Sequence, residues 1–243
     1  MKVYKFWLEV KSMNDLIAIP GLGSDSAVWS RTLNMLHDDF RCTVGDTLHD
    51  GSISEMAHRI LRAAPDWFFV AGLSMGGMVA LEIMRFAPER VAGLAIIDSN
   101  GFPDTPQETE HRRQTIAAIR DGIDLRRTSE AGLVRLIHPD APMDVREEIK
   151  AMGLRVGGET YARQVEAVLN RPDQRSVLEA IKAPTIFVTG ADDLMIPPDR
   201  ARAMADMVPG AELVVINNCG HLPPIEMPRA TADALKTLIS RGG

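Results

Sequence analysis

A serine stands between two glycines at Gly72-Leu73-Ser74-Met75-Gly76. Nucleophilic serine needs a base beside it and an exposed perch on a sharp strand-to-helix turn, and such a turn leaves no room for bulk at the flanking positions. His221, in Gly220-His221-Leu222-Pro223-Pro224, is the expected base. His37, His49, His58, His111 and His138 follow no buried apolar run so directly. A carboxylate must hold the imidazole in the right tautomer. Gly190-Ala191-Asp192-Asp193 offers two, of which Asp193 is the expected partner; Asp192 and then Asp98 are its rivals. The order serine, acid, histidine along the chain suits acyl transfer on an α/β sheet. That chemistry builds an oxyanion, which two backbone N–H groups must meet. Met75, at the start of a helix, is expected to give one, and Leu22, with Gly23 as the alternative, the other. Gly21 is expected to line the substrate site beside that loop, and Trp29 either to wall it or to serve a structural role.

These residues share a feature: each follows a short apolar run. Leu16 to Ile19, Trp67 to Ala71, Val91 to Ile97, Thr185 to Thr189 and Glu212 to Ile216 read as strands, with a weaker one at Arg41 to Val44. Their continuous apolarity implies burial on both faces, the mark of parallel strands covered by helices. Helical spacing occupies Ser54 to Ala63, Met75 to Phe86, Pro198 to Met207 and Pro228 to Ile239. Alternation of the two predicts an α/β fold with a doubly wound, mostly parallel sheet. Ligands bind such sheets beyond the carboxyl ends of the strands, where the serine, acids and histidine fall. From Gly101 to Lys182 no strand is recognisable. The chain is therefore expected to divide into a core, 1–100 and 183–243, and a helical cap inserted at 101–182.

The cap is expected to choose the substrate. Arg112, Arg113, Arg126, Arg127, Arg155 and Arg163 are candidates to meet an anionic group, although a solvated helix face is the commoner fate of such residues. Met143, Met152, Leu154 and Val156 are candidates for the pocket wall, or for ordinary packing.

Composition narrows the classes. With 45% hydrophobic and 25% charged residues the 243-residue chain is globular rather than disordered. A net charge of -6 without a basic block argues against nucleic acid. Cys42 and Cys219 are expected to be reduced thiols. Residues 1–11, with Lys2, Lys5, Glu9 and Lys11, lack a signal-peptide core, and no run spans a bilayer. A cytoplasmic monomer or homodimer acting on a small molecule is expected, without membrane partner, metal or cofactor. Phosphate-loop and dinucleotide fingerprints are absent.

Four motifs together carry a family resemblance: Pro20-Gly21-Leu22-Gly23 with Trp29 following, Gly72 to Gly77, Gly190-Ala191-Asp192-Asp193 with Pro197, and Gly220-His221 with Glu226 and Pro228. The chain resembles α/β-hydrolase-fold enzymes of the carboxylesterase and lactonase type. Met75-Gly76-Gly77-Met78, followed by Ala87-Pro88-Glu89-Arg90-Val91, is similar to the nucleophile region of enol-lactone hydrolases. The family pattern Gly-x-x-Asp-x-x-x-Pro falls on Asp193. The resemblance implies a serine hydrolase that cleaves a small carboxylic ester, lactone or thioester through an acyl-enzyme on Ser74. A lyase, a C–C hydrolase or a ligand-binding receptor on the same scaffold is the alternative. Serine at the elbow sets the chain apart from dehalogenases and epoxide hydrolases, which carry aspartate there. The chain departs from the family in having Pro20, where histidine is usual, and in lacking the longer hairpin that usually precedes this loop.

Overall fold

The computed structural model describes residues 14–122 and 132–242. Six strands form one sheet: β1 (Asn14–Ile19), β2 (Phe40–Val44), β3 (Phe68–Leu73), β4 (Val91–Ile97), β5 (Thr185–Gly190) and β6 (Glu212–Ile216). Their order is β2-β1-β3-β4-β5-β6, and every pairing is parallel. The helices are α1 (Ala27–Asn34), α2 (Ile53–Ala63), α3 (Met75–Phe86), α4 (Pro106–Arg120), α5 (Met143–Leu169), α6 (Arg175–Ala180), α7 (Pro198–Ala205), α8 (Pro223–Glu226) and α9 (Pro228–Gly242). A single 3-10 turn covers Pro88–Arg90, and a helical turn covers 132–136.

β3, β4 and β5 are buried along their whole length. Alternate residues serve opposite faces. Phe69, Ala71 and Leu73 join one apolar cluster with α1 and α9, while Phe68 and Val70 join another with α2, α3 and α7. Two covered faces explain why these strands carry no polar stripe. The edge strands differ. β2 alternates buried with exposed, and β6, expected to be buried on both faces, leaves Val215 42% exposed. Among the described residues β6 is hydrogen-bonded on one side only, to β5.

β4 and α3 occupy the residues expected for them, and α3 stops before Pro88, which cannot continue it. The helix α1 was not legible. It is short, and its buried residues Val28, Trp29 and Thr32 make a stripe too brief to stand out. The order of strands also locates the site. The chain leaves β1 for β2 on one side and returns to β3 on the other, so the loops after β1 and β3 diverge and leave a crevice between them. The segment between β4 and β5 is helical through α4, α5 and α6, with α5 kinked at Gly157, where φ is 74°.

Candidate active site

The crevice after β1 and β3 holds Ser74. Its backbone sits at φ 52°, ψ -115°, a region that side-chain-bearing residues rarely occupy and that costs about 1–3 kcal/mol. Four bonds hold it there: Ser74 N–H to the Ile97 carbonyl at 2.8 Å, and the Ser74 carbonyl receiving Gly77 N–H at 2.9 Å, Met78 N–H at 3.4 Å and Ser99 Oγ–H at 2.6 Å. Both flanking glycines are obligatory. A Cβ on Gly72 would lie 2.2 Å from the Gly76 carbonyl oxygen, and one on Gly76 would lie 2.3 Å from that of Ile19. The turn leaves Ser74 partly open, whereas Leu73 and Met75 are buried.

His221 arrives from the loop after β6. Its Nε2 lies 2.9 Å from Ser74 Oγ, and its Nδ1 lies 2.7 Å from Asp193 Oδ2. A proton on Nδ1 answers the carboxylate and leaves Nε2 free to accept from the serine. The other oxygen of Asp193 accepts the N–H groups of Met195 at 2.7 Å and Ile196 at 3.0 Å. Burial alone would raise the Asp193 pKa, but His221 and these donors hold it below the ordinary carboxylate value. Gly190 and Gly220 let the two loops touch: a Cβ on Gly190 would lie 2.0 Å from the Gly220 carbonyl oxygen.

Of the rival acids, Asp192 turns away, its carboxylate exposed and 3.8 Å from His138 Nε2. Asp98 does not turn away. It is buried, and its carboxyl oxygen, that of Asp193 and a ring nitrogen of His221 lie within 4.8 Å of one another. Thr189 Oγ–H at 2.7 Å and Gly190 N–H at 3.1 Å donate to Asp98 Oδ1. Burial, and then the neighbouring Asp193 charge, push the Asp98 pKa well above the ordinary carboxylate value. Asp193 is thus biased towards its ionised form and Asp98 towards its neutral one. A raised folded-state pKa means that the stability this proton contributes is complete below the unfolded value and is lost as pH rises through the folded one. Asparagine in place of Asp98 would imitate the neutral acid at every pH, its oxygen accepting from Thr189 and Gly190 and its amide donating towards Asp193. Asp98→Asn is therefore expected to keep activity within about threefold and to gain more thermal stability over wild type at pH 8 than at pH 5. Melting curves at the two pH values check this, and a variant less stable at both would contradict a neutral Asp98.

The loop after β1 brings Gly21 against the elbow, where a Cβ on it would lie 3.4 Å from Ser74 Cβ. Its amides are distributed. Ser24 N–H bonds the Gly21 carbonyl at 3.2 Å, and Gly23 N–H bonds Gln164 Oε1 at 2.9 Å. Gly23, the alternative oxyanion donor, is thus occupied, and no hydrogen bond takes up the N–H of Leu22 or Met75 among the described residues. Trp29 does not wall the site. It is 0% exposed in the cluster under α1, because the stripe it shares with Val28 and Thr32 faces the sheet.

Glu226 fixes the histidine loop. Its carboxylate accepts Leu222 N–H at 2.9 Å, Gly220 N–H at 3.1 Å and His138 N–H at 2.8 Å. His221 N–H in turn bonds the Leu136 carbonyl at 2.9 Å. Its spacing from His221 marks Glu226 in the sequence, but no local signal points to residues 136–138.

The arginines between β4 and β5 are mostly engaged. Arg112 pairs with Asp104 at 2.6 Å, Arg155 with Asp25 at 2.6 Å and Glu148 at 2.7 Å, and Arg163 donates to the Leu48 carbonyl. Arg113 is exposed, and Arg126 and Arg127 lie outside the described residues, as do Lys2, Lys5, Glu9 and Lys11. Met152 and Val156 are buried in packing, whereas Met143 and Leu154 are 69% and 55% exposed. Cys42 and Cys219 are both free thiols. No helix among the described residues is long and apolar enough to cross a membrane.

A parallel sheet with a nucleophile elbow at its switch point defines a class, and the comparison with known families agrees: residues 16–234 match the alpha/beta hydrolase family, to which the chain belongs. Within that class it is similar to the pimeloyl-[acyl-carrier protein] methyl ester esterase of Yersinia enterocolitica, 29% identical over 89% of this chain and 89% of that protein. The esterase of the same name from Aromatoleum aromaticum is 24% identical over 93% of this chain and 98% of its own length. Among solved structures, a thermophilic esterase from Thermogutta terrifontis superposes with a TM-score of 0.84 at 28% identity, covering 94% of this chain and 90% of that one. The enol-lactonase of Burkholderia xenovorans shares the fold, with a TM-score of 0.81 at 22% identity over 96% of this chain and 94% of its own.

Proposed function

We propose that the chain is a serine hydrolase that cleaves a small carboxylic ester, lactone or thioester through an acyl-enzyme on Ser74. The observation that carries this reading is the continuous relay from Ser74 Oγ through His221 to Asp193, at 2.9 and 2.7 Å. In the proposed cycle His221 Nε2 takes the serine proton as Oγ attacks the carbonyl carbon. Asp193 stabilises the imidazolium that forms. The N–H groups of Leu22 and Met75 meet the oxyanion, the second of them helped by the positive end of α3. His221 then gives its proton to the leaving oxygen or sulfur. Water, deprotonated by His221, attacks the acyl-enzyme, and His221 returns that proton to Ser74 Oγ as the acid leaves.

The resemblance to esterases, and a relay in which every proton transfer has its donor and acceptor, support this reading over a non-hydrolytic one. In the same proposal residues 101–182 act as the cap, Gly21 lines the substrate site beside Ser74, and the protein works in the cytoplasm as a monomer or homodimer. A fluorophosphonate probe and p-nitrophenyl acetate, butyrate and octanoate test the proposal. Stoichiometric labelling at Ser74 with turnover of at least one ester is expected. Labelling elsewhere, or turnover that survives complete labelling, would remove Ser74 from the mechanism.

A further inference from the structure

Gly23 is held from outside its own loop. Its N–H donates to Gln164 Oε1 at 2.9 Å, and Gln164 Nε2 donates onward to the Thr47 carbonyl at 3.0 Å. Gln164 belongs to the part of α5 beyond the Gly157 kink, and it is completely buried. One side chain thus clips together the loops that follow the neighbouring strands β1 and β2. The adjoining residues of the same helix serve the same loops. The Tyr161 ring lies against Gly23, where a Cβ would come within 3.0 Å of it, and Arg163 donates to the Leu48 carbonyl.

We propose that Gln164 is the positioning residue of the oxyanion loop, so that a helix of the β4–β5 insertion completes the catalytic apparatus. This rests on the serine hydrolase reading above. The Gly23 N–H is part-buried, and an N–H withdrawn from water needs a partner. With Ser24 N–H satisfied by Gly21 within the loop, the one remaining choice lies at the Leu22–Gly23 peptide. Gln164 makes that choice by holding the Gly23 N–H away from the site, and this fixes the Leu22–Gly23 peptide, next to the Gly21–Leu22 peptide that carries the Leu22 N–H. Gly23, at φ 71°, has no side chain to hinder rotation of the Leu22–Gly23 peptide, so the Ser24–Gly21 bond, at 3.2 Å, is the one lock within the loop. Without the clip, the Gly23 N–H is free to swing, and the direction of the Leu22 donor rests on the Ser24–Gly21 bond alone. An oxyanion donor acts only when it is aimed before the charge develops, so the defect belongs to the transition state and not to substrate binding.

Gln164→Met, close in length but unable to make either bond, tests this in the full chain. The expected result is a fall in kcat of about 10- to 100-fold with KM unchanged within about threefold. A trifluoromethyl ketone that forms an oxyanion adduct with Ser74 is expected to lose the same factor in Ki, while its secondary alcohol, with the same shape and no oxyanion, keeps its Ki. A merely structural role would not separate the two inhibitors. Gln174→Met is the stability control, since Gln174 is equally buried and donates to the Met78 carbonyl at 2.7 Å, away from the oxyanion loop. It is expected to lower Tm without the kcat loss. Should Gln164→Met fail to fold, Gln164→Asn, too short to reach from Thr47 to Gly23, carries the same readout. Unchanged kcat, or equal losses for ketone and alcohol, would overturn the assignment. A wild type without Ser74-dependent turnover or labelling would overturn the parent reading, and this one with it.

Discussion

Ser74→Ala is expected to reduce kcat for a p-nitrophenyl ester by about 10⁵- to 10⁶-fold, the scale on which serine nucleophiles act together with their base. The reason is chemical: without Oγ there is no acyl-enzyme, and His221 and the oxyanion donors are left to assist a poorly placed water. The residual rate should still exceed that in buffer, because the donors at Leu22 and Met75 would survive. The fold should survive as well. Alanine loses one hydrogen bond to His221, a matter of about 1 kcal/mol, and the strained backbone at φ 52° stays strained. Ser74→Gly separates these terms, since glycine populates such a backbone freely. It should be as inactive as the alanine variant yet melt at a higher temperature. Steady-state rates and melting curves of the two variants decide the matter. Activity within tenfold of wild type in either variant would exclude Ser74 as nucleophile.

Asp193→Asn is expected to cost about 10⁴-fold in kcat, because it forces the wrong tautomer on His221. The direction follows from the partners of the aspartate. Oδ1 accepts from the Met195 and Ile196 amides, so the single oxygen of asparagine is drawn to that side. Its NH₂ then faces His221 Nδ1, which must accept rather than donate. The imidazole proton moves to Nε2, and Nε2 can no longer accept from Ser74. KM should change little, since none of this touches the substrate before the chemical step. The neighbouring Asp98 supplies an internal control. If Asp98 were the orienting acid, the large loss would fall on Asp98→Asn and Asp193→Asn would be mild. The opposite ranking is expected, because Asp98 spends its hydrogen bonds on Thr189 and Gly190 while Asp193 alone bonds the imidazole.

How much of this was legible beforehand depended on distance along the chain. Gly72 announces the elbow because its steric demand is local, a Cβ there meeting the Gly76 carbonyl four residues on, whereas the demand at Gly76 comes from Ile19 on the neighbouring strand and was legible only through the motif. The buried strands were readable for the same reason, since apolarity along β3, β4 and β5 reports two covered faces wherever the covering helices come from. Local patterns failed where burial was decided elsewhere. β6 has the composition of a central strand, yet it lies at the edge. Trp29 follows the oxyanion loop closely enough to suggest a wall, but α1 rotates it into the core.

The sequence by itself determined the type of chemistry and the residue types that carry it: a serine on a glycine-flanked turn, an acid and a histidine, each at the end of an apolar run. Tertiary structure alone decided the connections. Ser74 meets His221 across 147 positions, and Gly23 meets Gln164 across 141. Only the folded chain shows that a second, buried acid lies beside Asp193, or that Glu226 ties the histidine loop to residues 136–138. The physical reason is one of range. Backbone sterics and periodic burial act over a few residues and leave a mark in the local sequence. Hydrogen bonds between distant segments depend on how the sheet orders its strands, and glutamine or aspartate in a sequence looks the same whether it ends in solvent or inside the site.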